Sequence, residues 1–363
     1  MESNNFHIEL YLTRDCNLRC TYCFEGHHGK EKTRKKNFEM SLETANKALE
    51  FLFKRIDKKF DKISINFFGG EVMQDMDRLI QFTQLADHFS KIHSIPLTKI
   101  ITTNGSFLTS KNYDLLEKNN IYYLISLDGN QKTHDKFRVF SNGQGSFNHI
   151  WRNKNQILKG IESGRCRKCL FTVMPEILQD LIEATKFLID QGFKNILYNF
   201  AMDKFSIWDE KSLLYLSDSI SVILEYSDKH NATIYPFHYL RDELINPTLN
   251  EEDNGEDLRC GILTKVVAID FDGTILPCTR FADGKVRKFA IGNVFSEEFN
   301  KPLIAYLTNI KKNIKSKCNS CVYKKTCVTY CPMLAIDQTN AYEPPKVMCD
   351  INFTIHRAIE KAL

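Results

Sequence analysis

The chain has 363 residues, 43% of them hydrophobic and 12% aromatic, enough for one α/β barrel with an appended module and unlike a disordered polypeptide. Its 49 basic and 45 acidic side chains leave 49 − 45 = +4, too near balance to suggest a nucleic-acid partner. No apolar run reaches the roughly 18 residues of a membrane span and Met1-Glu-Ser-Asn-Asn-Phe6 lacks signal-peptide character, so a cytoplasmic protein is expected, with its 12 cysteines serving metal rather than disulfides.

The first apolar run, His7-Ile-Glu-Leu-Tyr-Leu-Thr13, reads as a strand, and directly behind it stands Cys16-Asn-Leu-Arg-Cys20-Thr-Tyr-Cys23. Gly26 to Lys36 is polar and basic and reads as a surface loop. Ala45, Leu49, Leu52, Ile56 and Phe60 recur at helical spacing and predict an amphipathic helix from about Ser41. Ile63, Ile65 and Phe67 then alternate as a strand that closes on Gly69-Gly70-Glu71. A helix over Asp77–Ile92, a strand ending at Ile100–Gly105, a helix near Asn112–Glu117 and a strand over Tyr122–Gly129 follow. Next come a helix over Phe147–Glu162, a strand over Leu170–Met174, a helix over Leu178–Gln191 and a strand over Asn195–Phe200. Six βα repeats demand parallel pairing through right-handed crossovers, with reactive groups at the C-terminal ends of the strands. This spacing fits a partial (β/α)6 barrel, a full eight-fold barrel or an open sheet.

From Asp203 to about Leu258 the pattern weakens to a helix, a strand near Ile234 and the acidic linker Glu251–Asp257, a domain boundary in composition. Beyond it, Val266 to Leu276 alternates around Asp272-Gly273, a hairpin signal. Seven of the 12 cysteines lie in this last part.

Three thiolates on one loop can hold three irons of a cubane cluster and leave the fourth iron open to a reactant, as three-ligand zinc sites leave a position open. Gly69 and Gly70 can let a ligand approach the backbone, and the Glu71 carboxylate can accept hydrogen bonds from an ammonium group. Taken singly these features stay ambiguous: the cysteines could hold zinc, Gly-Gly-Glu and Ser126-Leu-Asp128-Gly129 are ordinary turns, and Arg138 could be a surface charge.

Together, the cysteine spacing, the aromatic Tyr22 before the third cysteine and the Gly-Gly-Glu one βα unit later resemble the radical S-adenosylmethionine (SAM) superfamily. The resemblance implies an α/β protein with a partial (β/α)6 TIM-type barrel over residues 1–202 and a [4Fe–4S] cluster on Cys16, Cys20 and Cys23. SAM would chelate the open iron through its amine and carboxylate and be cleaved to methionine and a 5′-deoxyadenosyl radical. Implied SAM contacts are Tyr22, Gly69, Gly70, Glu71 at the amine, Asn104 lining the site, Ser126 and Asp128 at the ribose, and Arg138 at the carboxylate.

The distal cysteines run Cys260-x12-Gly273-x4-Cys278, Cys318-x2-Cys321-x5-Cys327-x3-Cys331 and then Cys349, a spacing that a zinc ribbon could share. The pattern is similar to the SPASM domain, which implies a small cysteine-rich domain over 259–363 behind a bridge over 203–258. It implies auxiliary cluster I on Cys260, Cys278 and Cys331 and auxiliary cluster II on Cys318, Cys321, Cys327 and Cys349, three [4Fe–4S] clusters in all. No cysteine lies between Cys169 and Cys260, so cluster I would keep an open iron suited to a substrate thiolate. Cys166 and Cys169, before the fifth predicted strand, have basic neighbours that favour thiolate but read as an incidental pair.

The resemblance implies radical maturation of a ribosomally synthesised precursor peptide, with an intramolecular thioether or carbon–carbon crosslink as the favoured product. Expected partners are that peptide and a flavodoxin- or ferredoxin-type electron donor, with no nucleic acid and no membrane. The cysteine loop starts too early for a preceding leader-binding module, so a separate leader-binding protein is a further candidate partner. Alternatives are an anaerobic sulfatase-maturating enzyme, whose family carries an acid after the second SPASM cysteine where this chain has Thr279, and a peptide epimerase using Cys166 or Cys169. A non-catalytic iron–sulfur or zinc scaffold would need neither an open iron nor Gly-Gly-Glu.

Overall fold

The computed structural model describes residues 4–24, 38–56, 60–202, 206–246, 261–282, 286–318, 320–328, 330–339 and 343–363. Cys260, the basic loop 26–36 and the acidic linker 251–257 lie outside the described residues. In chain order the first elements are β1 (Asn5–Thr13), α1 (Leu42–Arg55), β2 (Lys62–Gly69), α2 (Met76–His93), β3 (Leu97–Thr103), α3 (Ser110–Lys118) and β4 (Ile121–Ser126). The single turn α4 (Gln131–His134), α5 (Phe147–Trp151), α6 (Lys154–Glu162), β5 (Cys166–Val173), α7 (Leu181–Asp190), β6 (Asn195–Phe200), α8 (Glu210–Lys229), β7 (Thr233–Tyr235) and α9 (Phe237–Ile245) follow. The cysteine-rich end holds β8 (Val266–Ile269), β9 (Thr274–Leu276), β10 (Gly292–Asn293), β11 (Glu298–Phe299), α10 (Lys301–Lys317), α11 (Pro332–Gln338) and α12 (Lys346–Ala362). Each of the first six strands leads into a helix, the alternation read from the sequence.

Two compact units are woven from separate stretches, the first from Met1–Ser126, Asp135–Arg167 and Gly261–Ala305, the second from Leu127–His134, Lys168–Cys260 and Tyr306–Leu363. In the first unit β1 is the central strand, parallel to β2 on one side and to β8 on the other. The parallel ladder continues to β3 and β4. On the far side β8 to β11 pair antiparallel, with Gly273 at φ +84° closing the predicted hairpin. Alternate residues Ile8, Leu10, Ile63, Ile65, Phe67, Ile101, Tyr123 and Ile125 are fully buried on one face. The other face is mixed: Tyr11 and Phe68 pack ring to ring, and Asn66 Nδ2 donates to Glu9 at 2.8 Å and to Thr102 at 3.2 Å.

Capping starts the helices where hydrophobic spacing begins: Ser41 Oγ accepts from Thr44 N at 2.9 Å before α1, and Asp75 Oδ1 from Arg78 N at 3.0 Å before α2. In the second unit β5, β6 and β7 pair in parallel, and α12 packs on α8 and α9. Met348, Ile351, Ile355 and Ile359 form the buried stripe of α12, each contributing roughly 1.5–3 kcal/mol on burial. Among the described residues, no helix is long and apolar enough to cross a membrane.

Three local expectations change. Helix α1 stops at Arg55, so Phe60 lies outside it and packs its ring 5.0 Å from Phe6. The helix expected over 147–162 breaks into α5 and α6 because Asn153 turns its side chain away to donate to Gly105 O at 3.0 Å and Ser106 O at 3.1 Å. The fifth strand begins at Cys166, which puts both cysteines of the Cys-x-x-Cys inside it.

Candidate functional site

The cysteine loop behind β1 is gripped from three sides within the first unit. At the end of β2, Gly70 N donates to Thr13 O at 2.9 Å and Glu71 N to Asp15 O at 2.8 Å. A Cβ at Gly69 would stand 2.0 Å from Thr13 O and one at Gly70 2.1 Å from Asp15 O, so the chain's own backbone requires both glycines. At the end of β3, Asn104 Nδ2 donates to Asn17 Oδ1 at 2.9 Å and lies 3.9 Å from Cys16 Sγ, while Asn17 Nδ2 donates to Ser106 Oγ at 3.0 Å. On the third side Arg19 N donates to Val139 O at 2.6 Å and Thr21 N to Phe137 O at 3.0 Å.

Burial pushes the Cys16 thiol well above its ordinary range, and the Glu71 carboxyl and the Cys20 and Cys23 thiols push the same way. The Leu18 N–H, donating to Cys16 Sγ at 3.4 Å, opposes them. Three soft donors that feel one another, with N–H groups aimed at sulfur, fit an iron–sulfur cluster, whose positive irons would hold the thiols deprotonated. Among the described residues, no three His, Cys, Asp or Glu side chains converge closely enough for a single metal ion.

Glu71 was expected to face a ligand ammonium, and the structure turns it inward. Its carboxyl is fully buried and accepts from Thr103 Oγ1 at 2.8 Å, Met73 N at 3.1 Å and Asn104 N at 2.6 Å. Burial raises its pKa to about 7 against the pull of those three hydrogen bonds. Glu71 thus ties the end of β2 to the end of β3.

Arg138 is buried, its guanidinium carbon 5.4 Å from the Tyr22 ring centre, so these two candidates do meet. Ser126 ends β4 half-buried in the first unit. Asp128 belongs to the second unit, where it is fully buried; its Oδ1 accepts from Thr172 N at 2.9 Å, and its own N–H donates to His134 Nδ1 at 3.3 Å. Cys166 and Cys169, three apart on β5, point to opposite faces, and Cys169 is fully buried with its thiol 3.5 Å from Leu127 O. They cannot jointly bind one metal.

In the second unit Cys318, Cys321, Cys327 and Cys349 come together. Burial first, then Cys327, Cys318 and Cys321, push the Cys349 thiol up to about 11; burial, Cys327 and Cys321 raise Cys318. Cys349 comes from α12, and the next turns of that helix grip the loop bearing the other three. Asn352 Oδ1 accepts from Val328 N at 3.2 Å, His356 Nε2 bonds Thr326 Oγ1 at 2.7 Å and stacks on Tyr323 at 4.1 Å, and Tyr323 OH donates to Glu360 at 2.9 Å. Sequence reasoning missed Asn352, His356 and Glu360, although their helical spacing from Cys349 was readable.

Of the remaining three cysteines, Cys278 lies in the first unit before a short turn, and Cys331 precedes α11 in the second. Cys260 is outside the described residues. Arg14, two residues before Cys16, donates to Asp270 at 2.8 Å and to Ala282 O at 2.8 Å, and Tyr11 OH reaches Thr279 O at 3.4 Å. The segment around Cys278 is therefore fastened to the base of the cysteine loop.

Residues 10–188 match the family model described as the radical SAM superfamily. A cysteine-type anaerobic sulfatase-maturating enzyme of Clostridium novyi (strain NT) is 24% identical over 333 residues, covering 87% of this chain and 85% of that protein. The solved structure of native anSMEcpe with bound AdoMet and Cp18Cys peptide is similar at TM-score 0.75 and 17% identity, over 98% of this chain and 99% of that one. Streptococcus suis SuiB bound to precursor peptide SuiA is similar at TM-score 0.63 and 19% identity, over 96% and 76%. The likeness to the two structures is one of fold, spanning both the βα repeats and the cysteine-rich end.

Proposed function

Residues 10–188 are a radical SAM domain, and on that premise we propose that the chain is a radical SAM/SPASM maturase that forms an intramolecular thioether or carbon–carbon crosslink in a ribosomally synthesised peptide. The observation that carries this reading is the gathering of thiols in two sets, three on the loop behind β1 and four between the 318–327 loop and α12. We assign the first set to the SAM cluster and the second to auxiliary cluster II, with auxiliary cluster I on Cys260, Cys278 and Cys331 and an iron left open for a substrate thiolate. The organisation is a barrel over 1–202, a bridge over 203–258 and a SPASM domain over 259–363.

The cluster on Cys16, Cys20 and Cys23, with SAM, would supply hydrogen-abstracting radical chemistry at a substrate carbon. The chain's own residues position the cofactor. Arg138, backed by the Tyr22 ring, receives the SAM carboxylate. The backbone edge of Gly69 and Gly70 would receive the amine, held in place by the inward Glu71, while Ser126 would serve a ribose hydroxyl and Asn104 orients the Cys16 sulfur. The partners are the precursor peptide and a flavodoxin- or ferredoxin-type electron donor, in the cytoplasm, where thiols stay reduced. The peptides bound to the two structural neighbours support a peptide substrate.

A second reading, sulfatase maturation, is favoured by the Clostridium novyi relative. Thr279 in place of an acid speaks against it, because a hydroxyl beside Cys278 is a poor proton acceptor. The test is anaerobic incubation of reconstituted protein with SAM and reductant, first alone and then with a cysteine-containing precursor peptide or a sulfatase-derived peptide. Loss of a pair of hydrogens from the precursor supports crosslinking, conversion of the sulfatase thiol to an aldehyde supports the second reading, and no 5′-deoxyadenosine sinks both.

A further inference from the structure

We propose that Asp135 is a positioning residue for SAM binding that acts through Arg138, an inference that rests on the assignment of Arg138 to the SAM carboxylate.

The segment 137–140 runs between two antiparallel neighbours in the first unit, joined to them by isolated bridges. On one side it carries the cysteine loop through Arg19 N to Val139 O at 2.6 Å, Thr21 N to Phe137 O at 3.0 Å and the antiparallel bridge between Leu18 and Phe140. On the other side Val139 bridges Gly145, and Phe140 N donates to Gln144 O at 2.9 Å around a turn with Gly143 at φ +82°. Antiparallel alternation turns the carbonyls of Phe137 and Val139 toward the cysteine loop and that of Arg138 the opposite way. There the Arg138 carbonyl accepts from both Ser146 N at 3.1 Å and Ser146 Oγ at 2.8 Å, and Ser146 is fully buried.

Asp135 fixes that far side. Its Oδ1 accepts from Phe147 N at 2.7 Å, one residue past Ser146. On the other side of Ser146, a Cβ on Gly145 would stand 2.1 Å from Asp135 Cγ, so the carboxylate is packed directly against the turn and only glycine fits. The half-buried Asp135 thereby holds Ser146 from both flanks, Ser146 holds the Arg138 backbone, and the guanidinium is left over Tyr22 in the cysteine loop. A carboxylate that need not touch SAM sets where the arginine stands.

The test uses anaerobically reconstituted protein and equilibrium dialysis of radiolabelled SAM, with iron content and amide hydrogen exchange at Arg19 and Thr21 followed in parallel. D135A and G145A are expected to weaken SAM binding roughly tenfold while iron content stays parental, because each removes or displaces the anchor of Ser146. D135N keeps an acceptor for Phe147 N and is expected to recover most of that loss. The double variant D135A/R138Q is expected to bind SAM no more weakly than R138Q alone, since Asp135 acts only through Arg138. Parental SAM affinity in D135A, or losses that multiply in the double variant, overturns the proposal. Should D135A fail to fold, G145A carries the test, and parental affinity there overturns it equally. Failure of the parent protein itself to bind SAM strikes the functional assignment instead.

Discussion

Around Cys16 the thiols are held mainly by backbone: the ends of β2 and β3 and the 137–140 segment each lend amides or carbonyls to the loop, and two glycines are present because main chain meets main chain. Around Cys318 the holding is done by one helix, whose side chains Asn352, His356 and Glu360 reach the loop directly or through Tyr323, while Cys349 on the same helix supplies the fourth thiol. The first arrangement draws on strand ends up to about a hundred residues apart and supplies three thiols; the second is almost local and supplies four. A three-thiol site that must leave room for a reactant has to be shaped by its surroundings, whereas a four-thiol site can be closed by its own ligands.

The largest test of that contrast is to remove one whole set. Cys16, Cys20 and Cys23 all changed to alanine should abolish 5′-deoxyadenosine formation and lower iron from about twelve to about eight per chain, because the other sets load independently. Iron falling to near zero would show the sets to be interdependent and erase the comparison. Cys349→Ala should take the same share of iron from the other end yet leave SAM binding at parental strength by dialysis. Gly70→Ala places a methyl group where Asp15 O stands, so a cost of about 3 kcal/mol in the stability of the first unit is expected, with loss of SAM binding. Thermal unfolding within a degree or so of the parent would mean that the loop is not gripped by backbone. The smallest effect is expected from Asn352→Ala, which orphans Val328 N for roughly 1–2 kcal/mol and should weaken retention of auxiliary iron under chelator without touching SAM binding.

The order of strands and helices was legible because hydrophobic period is a local property, and so was the cysteine grouping, because ligands on one loop come in short spacings. What was hidden depended on residues far apart in the chain. Gly69 and Gly70 read as room for a ligand since nothing in the sequence says that Thr13 and Asp15 will lie against them. Glu71 read as a ligand-facing carboxylate since its acceptors' partners, Thr103 and Asn104, are a full βα unit away. The break at Asn153 has the same origin, a side chain answering carbonyls of Gly105 and Ser106. Cys166 and Cys169 read as an incidental pair placed before the fifth strand; that the strand starts at Cys166 and includes both was not legible.

The pairing of β1 with β8 also governs when this protein can be assembled. Until β8 exists, β1 is an edge strand with a bare row of amides and carbonyls on the side that Val266 to Ile269 will cover. Those residues are made roughly 250 positions later, which at about 5–20 residues per second is a delay of roughly 13–50 s at the ribosome. Arg14 waits for the same segment, since its partners Asp270 and Ala282 follow β8 directly. The cysteine loop therefore emerges early but gains these neighbours only once synthesis has passed Ala282.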